Sequence, residues 1–374
     1  MSITQREFDL HQIADLPSAM KTGRSLLRLQ VAPSEKAASP LPLMEGTEAF
    51  APPWIAAAHE RFRDTGARDV ACYVAANLCV AGDGQIWIDD HLVTAPEIMP
   101  PYIAARLEVA NGGNDLVHGT RALPVRRIER PCVVAAGHGV SVYGHFLTEM
   151  LFRILVARRA LQANFARAAL LLDKRTPSWL LEILSKYLSI GHEHIEFFDA
   201  KTERVLLREG IFPTRLDRNF GYHPLANALL DETFERLGAP KPATAAPRMF
   251  ITRRQFSNPA SHYRRCVNED RLIEIAANHG FVPIEIERLT WPEQIALFRN
   301  AEIVLGLAGS GLHNALFSQS GSKLASIGFM NLTQYEIGAL RRQRNAFFTT
   351  DVTLAGDFSV DETEYAKLVE ILCR

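Results

Sequence analysis

The chain has 374 residues, with 41 basic and 42 acidic side chains and a formal net charge of −1. That length suits two ordinary domains with substantial cores, and the balanced charge supplies no global field for nucleic acid, which is not an expected partner. The N-terminus MSITQREFDLHQ lacks the basic and apolar regions of a signal peptide, and no apolar run is long enough to span a bilayer, so the cytoplasm is the expected location.

Residues 1–50 carry no clear hydrophobic period. The following FAPPW, Phe50 to Trp54, is a short apolar group of the kind that ordinary packing absorbs. CYVAANLCVAGDGQIWID reads as a β-hairpin turning near Gly82 to Gly84. Asp89 and Asp90 fall in that hairpin region, so no DxD pair stands at a strand end and no metal site is predicted. The five cysteines, Cys72, Cys79, Cys132, Cys266 and Cys373, form no CxxC pair and read as buried thiols rather than zinc ligands or a disulfide framework.

An alternating block follows. PCVVAAG reads as a strand, YGHFLTEMLFRILVARRALQ as a helix, AALLLD as a strand, PSWLLEILSKYLS as a helix, HIEFF and RVLLRE as strands, and HPLANALLDETFERLG as a closing helix. His145 and Glu149 stand four apart near the start of the first of these helices, hence on one face and at a strand end. An imidazole there can take a proton from a hydroxyl near neutral pH, and a neighbouring carboxylate can orient it. An exposed ion pair at a helix start has the same spacing. His138 is a lesser candidate.

Gly238 to Pro247, GAPKPATAAP, suits an interdomain connection. The division expected from these patterns is an N-terminal extension with β-hairpins over 1–130, a Rossmann-like domain over 131–240 and a second over 241–374. The last of these alternates regularly. RMFIT is a strand, NEDRLIEIAANHG a helix closed by Gly280, FVPIEI a strand, and WPEQIALFRNA a helix with Pro292 in its first turn. EIVLGLAGSGLHNALF then combines an apolar strand, a glycine turn and a helix start, and KLASIG and NLTQYEIGALRRQ add a strand and a helix. Such alternation implies a parallel sheet that binds ligands at the carboxyl ends of its strands.

The glycine turn lies at such an end. Gly309 and Gly311 permit close ligand approach, and a helix starting near Ser310 would aim unpaired N–H groups at an anion such as a diphosphate. His313 and Asn314, just inside that helix, could face the ligand or the sheet. Arg253 and Arg254 end the first strand of this domain, and Arg264 and Arg265 lie in the next loop, where guanidinium groups can hold phosphate oxygens. Asn268 reads as a helix N-cap, with Glu269 and Asp270 favourable in the first turn.

Taken together, YGHFLTEMLFRI, FITRR, RRCVNEDRLIEIAANHGF, LTWPEQIALFRNAEIVLG and AGSGLHNALF resemble glycosyltransferase family 61, the DUF563 group, over roughly Gly137 to Gly328. The family's helix start of His, aromatic and Leu falls on His145, Phe146 and Leu147. Its Arg-Arg falls on Arg253 and Arg254, its Asn-Glu on Asn268 and Glu269, and its glycine turn on Gly309, Ser310, Gly311, Leu312 and Asn314. Ala308 stands where the family usually has histidine, so that side chain's contribution is either missing or supplied by another residue, such as His313.

The resemblance implies an α/β, GT-B-like fold of two facing Rossmann-like domains, and inverting transfer of a sugar from a nucleotide sugar, typically a UDP-sugar. The implied acceptor is a hydroxyl of a glycan or lipid-linked glycan in capsular polysaccharide or lipopolysaccharide assembly. On that view FAPPW is a candidate for peripheral membrane association at the inner face. His145 is the candidate base and Glu149 its orienting partner. Arg253, Arg254, Arg265, Asn268, Glu269 and Gly309 to Asn314 form the candidate substrate-binding set, with no cofactor or metal. The alternative is a non-catalytic glycan- or nucleotide-binding module of the same fold, which Ala308 keeps open. A nucleotide-sugar epimerase is disfavoured because no GxGxxG turn follows any strand.

Overall fold

A computed structural model describes residues 12–13, 16, 20, 26–37, 41–55, 60, 66–67, 69–89, 91–99, 122–137, 139–216, 221–238, 246–254, 265–329, 332–350 and 357–374. The chain divides into two compact units, Met1–Ser34 with Arg68–Asn219, and Glu35–Ala67 with Phe220–Arg374. Both are α/β. His138, Asp90 and Arg264 lie outside the described residues.

The first unit is built on a mixed sheet of ten strands among the described residues. Its strands are β1 (Leu26–Ala32), β2 (Val70–Ala81), β3 (Gln85–Ile88), β4 (His91–Val93), β5 (Val125–Ile128), β6 (Cys132–Val134), β7 (Ala169–Asp173), β8 (Ile195–Phe198) and β9 (Arg204–Pro213), with the pair Gln12–Ile13 beside β4. The β2–β3 hairpin turns at residues 82–84, and Gly84 is required there. Its φ is +83°, and a Cβ would approach the Ala136 carbonyl oxygen to 2.6 Å. β9 joins the sheet's two halves, running antiparallel to β2 and parallel to β5 and β6. β6, β7 and β8 continue in parallel, as expected for strands separated by helices. β1, in the stretch expected to carry no clear hydrophobic period, alternates Leu27, Leu29 and Val31 with Arg28 and Gln30 and pairs antiparallel with β2.

The helix after β6 starts with Tyr143–His145, passes through a π-helical stretch Phe146–Met150 and continues as α-helix over Leu151–Leu161. We call residues 143–161 α1. α2 (Ser178–Tyr187) follows β7.

The second unit has a purely parallel sheet of β10 (Arg248–Ile251), β11 (Val282–Ile284), β12 (Ile303–Leu307), β13 (Lys323–Gly328) and β14 (Arg344–Thr349), ordered β11-β10-β12-β13-β14. In sequence order this is 2-1-3-4-5, a doubly wound arrangement that reverses direction between its first and third strands. Helices α3 (Leu225–Arg236), α4 (Glu269–Ala277), α5 (Trp291–Asn300), α6 (Leu332–Arg341) and α7 (Glu362–Cys373) belong to the same unit. α5 starts on a capping box between Thr290 and Glu293, with Pro292 in its first turn. α4 closes at Gly280, whose φ is +81°.

One face of this sheet packs Phe250, Leu305, Ile327 and Phe348 against Leu272 of α4 and Leu368 of α7. β11 is an edge strand of three residues centred on Pro283. The Ile284 carbonyl accepts from the Thr252 N–H at 3.1 Å. Ile284 therefore turns its backbone polar groups toward β10, and Pro283 turns its own outward. At the opposite edge the Met44 N–H donates to the Asn345 carbonyl at 2.9 Å, and Phe50 stacks on Phe348 with centroids 5.3 Å apart. Phe50 of FAPPW is thus a packing residue, while Trp54 is 46% exposed.

The sequence pattern attaches α3 to the first block, but in the structure it packs within the second unit. Asp231 of α3 meets Arg299 of α5 at 3.0 Å and Arg341 of α6 at 3.2 Å, and the Asn227 amide donates to the Leu340 carbonyl at 3.0 Å. Arg341 is buried, so leaving it without these partners would be costly. Among the described residues no helix is long and apolar enough to cross a membrane. None of the five cysteines is disulfide-bonded, and burial pushes the thiols of Cys72 and Cys132 up to about 12.

Candidate functional site

Two groups of predicted residues assemble at strand carboxyl ends, one in each unit. In the first unit α1 begins just beyond β6 and carries both His145 and Glu149. His145 Nδ1 lies 2.6 Å from Glu149 Oε1. Burial pushes the Glu149 carboxyl up, but the hydrogen bond and charge of His145, with Arg153 and Arg215 nearby, outweigh it and hold the group below the usual carboxylate range. An ionised carboxylate only accepts, so Nδ1 carries the proton of this hydrogen bond.

The ring is held on its other side too. Gly139 has φ of +73°, and a Cβ there would stand 2.4 Å from His145 Cδ2 and 3.1 Å from Nε2. Only glycine admits both the backbone conformation and the imidazole. Arg153 donates to the Ala136 carbonyl at 3.0 Å, tying α1 to the end of β6. With Glu149 it borders a cavity of about 30 Å³, which also touches Gln85 and Ile98. That volume suits about one water. Neither Arg153 nor Arg215 stood out in the sequence, although Arg153 follows Glu149 by the same four-residue step that pairs Glu149 with His145.

In the second unit the glycine turn follows β12, directly beside the end of β10, at the point where strand order reverses. Ligands of doubly wound sheets bind at such a point. Gly309 is extended, and residues Ser310–Phe317 form a 3₁₀ helix rather than the predicted α-helix. Its first backbone bond runs from the Leu312 N–H to the Gly309 carbonyl at 3.1 Å, so the N–H groups of Ser310 and Gly311 precede the hydrogen-bonded ladder. Leu312 folds down over Gly306, where a Cβ would meet Leu312 Cδ2 at 3.1 Å and Ile251 Cβ at 2.9 Å. Small size at residue 306 thus lets the turn sit close to the sheet.

Arg253 is fixed beside this turn from two directions. Its Nη1 donates to the Ala308 carbonyl at 2.8 Å, and its backbone N–H donates to Glu269 Oε1 at 2.7 Å. The same oxygen accepts the Thr252 hydroxyl at 2.7 Å. Glu269 is buried, so it acts as a brace under the Arg253 turn. A Cβ at Gly309 would lie 3.3 Å from Arg253 Nη1, which shows how closely guanidinium and turn are packed. Arg254 is ion-paired with Asp270.

The other predicted residues are placed differently. Arg265 is exposed and pairs with Asp357 at 3.0 Å. Asn268 makes no side-chain cap on α4, contrary to its expected role. Its amide donates to the Val360 carbonyl at 2.8 Å and its oxygen accepts from the Val360 N–H at 3.1 Å, latching the segment before α7. Asn314 is buried, and its amide donates to Gln294 Oε1 at 3.1 Å and to the Gly311 carbonyl at 3.2 Å. It steadies the 3₁₀ helix from within. His313 is also buried. Among the described residues no group of three or more His, Cys, Asp or Glu side chains converges as a metal site.

Sequence reasoning also passed over a cavity of about 330 Å³ at the ends of β10 and β11, bordered by Thr252, Arg254, Ile284, Glu285, Arg288 and Leu297. Its position past the end of FVPIEI was the available signal.

Comparison with curated proteins gives no match. The family model described as Glycosyltransferase 61 matches residues 143–325, a span that starts at α1 and ends within β13. It contains the His145–Glu149 pair, the Arg253 turn and the glycine turn, and over this segment the chain is similar to glycosyltransferase family 61.

Proposed function

We propose that the protein is an inverting glycosyltransferase of GT-B-like architecture. It moves a sugar from a nucleotide sugar, of the UDP class by resemblance, to a hydroxyl of a glycan or glycolipid acceptor. The observation that carries this reading is the Arg253 guanidinium held against the Ala308 carbonyl at 2.8 Å, beside the N–H groups of Ser310 and Gly311 at the switch point of a parallel sheet. A cation and two backbone donors at that place suit a diphosphate.

In this reading the second unit holds the nucleotide and the first handles the acceptor. The acceptor oxygen attacks the anomeric carbon from the face opposite the diphosphate as its proton passes to His145 Nε2. The bond from the anomeric carbon to the diphosphate oxygen breaks, and its electron pair leaves with the nucleoside diphosphate. Arg253, Arg254 and the turn's N–H groups offset that charge without reorganising, the usual source of preorganised stabilisation. Glu149 keeps Nδ1 protonated and supports the imidazolium once formed. The reading sets the work in the cytoplasm, on acceptors of surface polysaccharide assembly at the inner face of the membrane.

Ala308 favours a second reading, a glycan- or nucleotide-binding module without turnover. The deciding experiment is a thermal-shift panel of UDP, GDP, CMP, ADP and dTDP, with and without a divalent metal, followed by donor-hydrolysis and transfer assays with sugars of the nucleotide that binds. A nucleotide at 100 times its Kd should add about 2.7 kcal/mol to stability. Selective stabilisation with turnover is the expected result. Binding without turnover favours the module, and no shift in a folded sample would end the diphosphate reading.

A further inference from the structure

Three separate segments of the first unit meet behind the His145–Glu149 pair. The β2–β3 hairpin presses on the end of β6, where a Cβ on Gly84 would come within 2.6 Å of the Ala136 carbonyl oxygen and 3.1 Å of Gly137 Cα. Gly137 is confined as well, since a Cβ there would lie 2.9 Å from Arg153 Nη1. Arg153 donates to the carbonyls of Ala136 at 3.0 Å and Ile98 at 3.4 Å, which draws α1 against both. The space left between hairpin, strand end and helix is the cavity of about 30 Å³, bordered by Gln85, Ile98, Glu149 and Arg153. Gln85 opens β3 and is nine-tenths buried. Its Oε1 is buried and has no hydrogen-bond partner among the described residues. A buried amide oxygen left that way is destabilising, and a partner in the adjoining cavity removes the penalty.

Size and charge narrow what that partner is. The volume admits about one water. Gln85 Oε1 and the Glu149 carboxylate both call for a donor and the Arg153 guanidinium for an acceptor, a combination that one water meets with two O–H groups and a lone pair. A halide could not donate to the two oxygens, and a bare cation would face the guanidinium. We infer that the cavity holds a resident water that donates to Gln85 Oε1 and to the Glu149 carboxylate and accepts from Arg153, which makes Gln85 a positioning residue for the His145–Glu149 pair. His145 fixes one side of the carboxylate through the 2.6 Å hydrogen bond, and the water fixes the other. A strand of the hairpin, 64 residues before Glu149, thereby helps to set where the imidazole proton lies. The part played in turnover rests on His145 as the base, whereas the water itself does not.

The test starts with a crystal structure of the full wild-type chain at a resolution that shows ordered waters. Density in the cavity within hydrogen-bond distance of Gln85 Oε1 is the expected result, and a cavity without it overturns the inference. This arm needs no variant, so the inference stays refutable even if a substitution fails to fold. Gln85→Met keeps the side-chain length and removes the acceptor. With histidine nitrogens labelled for NMR, the His145 Nδ1 proton should resonate downfield in the wild type, as a short charge-assisted hydrogen bond does. It should move upfield or be lost to exchange in Gln85→Met and be retained in Gln85→Asn, which keeps an amide oxygen for water. The transfer rate of Gln85→Met should fall about 3- to 10-fold, the worth of one hydrogen bond, at unchanged nucleotide affinity. A proton signal and a rate that Gln85→Met leaves as they were would reduce Gln85 to packing and overturn its positioning role. Density and proton signal as expected, in a chain that transfers no sugar, would support the water while the transferase reading falls.

Discussion

The carboxyl rims of the two sheets hold opposite kinds of chemistry. The rim of the parallel sheet presents Arg253, Arg254 and backbone N–H groups, with Arg253 fixed by the buried Glu269 and by the Ala308 carbonyl. The rim of the mixed sheet presents a histidine–carboxylate pair at 2.6 Å, a device for moving a proton. In the proposed reading, recognition of charge and handling of protons are assigned to separate sheets. Each can be damaged without touching the other, which makes the comparison breakable by mutation.

The largest expected effect is at the proton-handling rim. His145→Ala should slow transfer by about 100- to 10,000-fold with nucleotide binding unchanged, checked by turnover assays alongside calorimetry. A variant that also lost nucleotide affinity would show that the two rims are not independent. Arg253→Ala should do the reverse, weakening nucleoside diphosphate binding by roughly 10- to 100-fold through loss of charge-assisted hydrogen bonds. Titration of the variant against the wild type measures it, and equal affinity would remove Arg253 from the site.

A smaller effect is expected beneath the phosphate turn. Gly306→Ala places a Cβ 2.9 Å from both Ile251 Cβ and the Ile251 carbonyl oxygen, an overpacking that should cost about 1–3 kcal/mol. Urea unfolding of the variant gives the number, and a loss near zero would mean that the turn is not pressed against the sheet. The smallest effect concerns Glu149, whose folded-state carboxyl is held below its unfolded value. Its contribution is present above the usual carboxylate range and is lost as pH falls through the folded-state value. The stability gap between wild type and Glu149→Gln should shrink as pH falls from about 5 to about 2. A gap constant over that range would contradict the lowered carboxyl.

Much of the parallel sheet was legible because each of its signals is local. Short apolar runs mark β10, β12 and β13, the Thr290–Glu293 box starts α5, and Gly280 ends α4. The candidate pairs were legible for the same reason, since four residues of helix or one tight turn set their spacing. What escaped depends on partners far apart in sequence. α3 is claimed by Arg341 and Arg299 across more than 60 residues, and Asn268 is drawn from its cap by Val360, 92 positions away. Glu269 reads as a first-turn acid until its carboxylate is seen under Arg253. β1 does alternate Leu27, Leu29 and Val31 with Arg28 and Gln30, but the alternation does not mark a buried face, since Leu27 is 58% exposed. The cavity at Glu285 needed the strand order before its position meant anything.

Pro283 has a consequence for how the molecule behaves at high concentration. A sheet edge with outward N–H and C=O groups is a template on which another chain can add a strand, the first step toward aggregation. At β11 the central outward-facing residue is a proline, which has no N–H to offer an incoming strand, and the inward bond through Ile284 is untouched. The far edge, β14, is already occupied where Met44 donates to Asn345. A sheet made only of parallel strands is thereby closed to growth on one side by a missing hydrogen and on the other by its own chain.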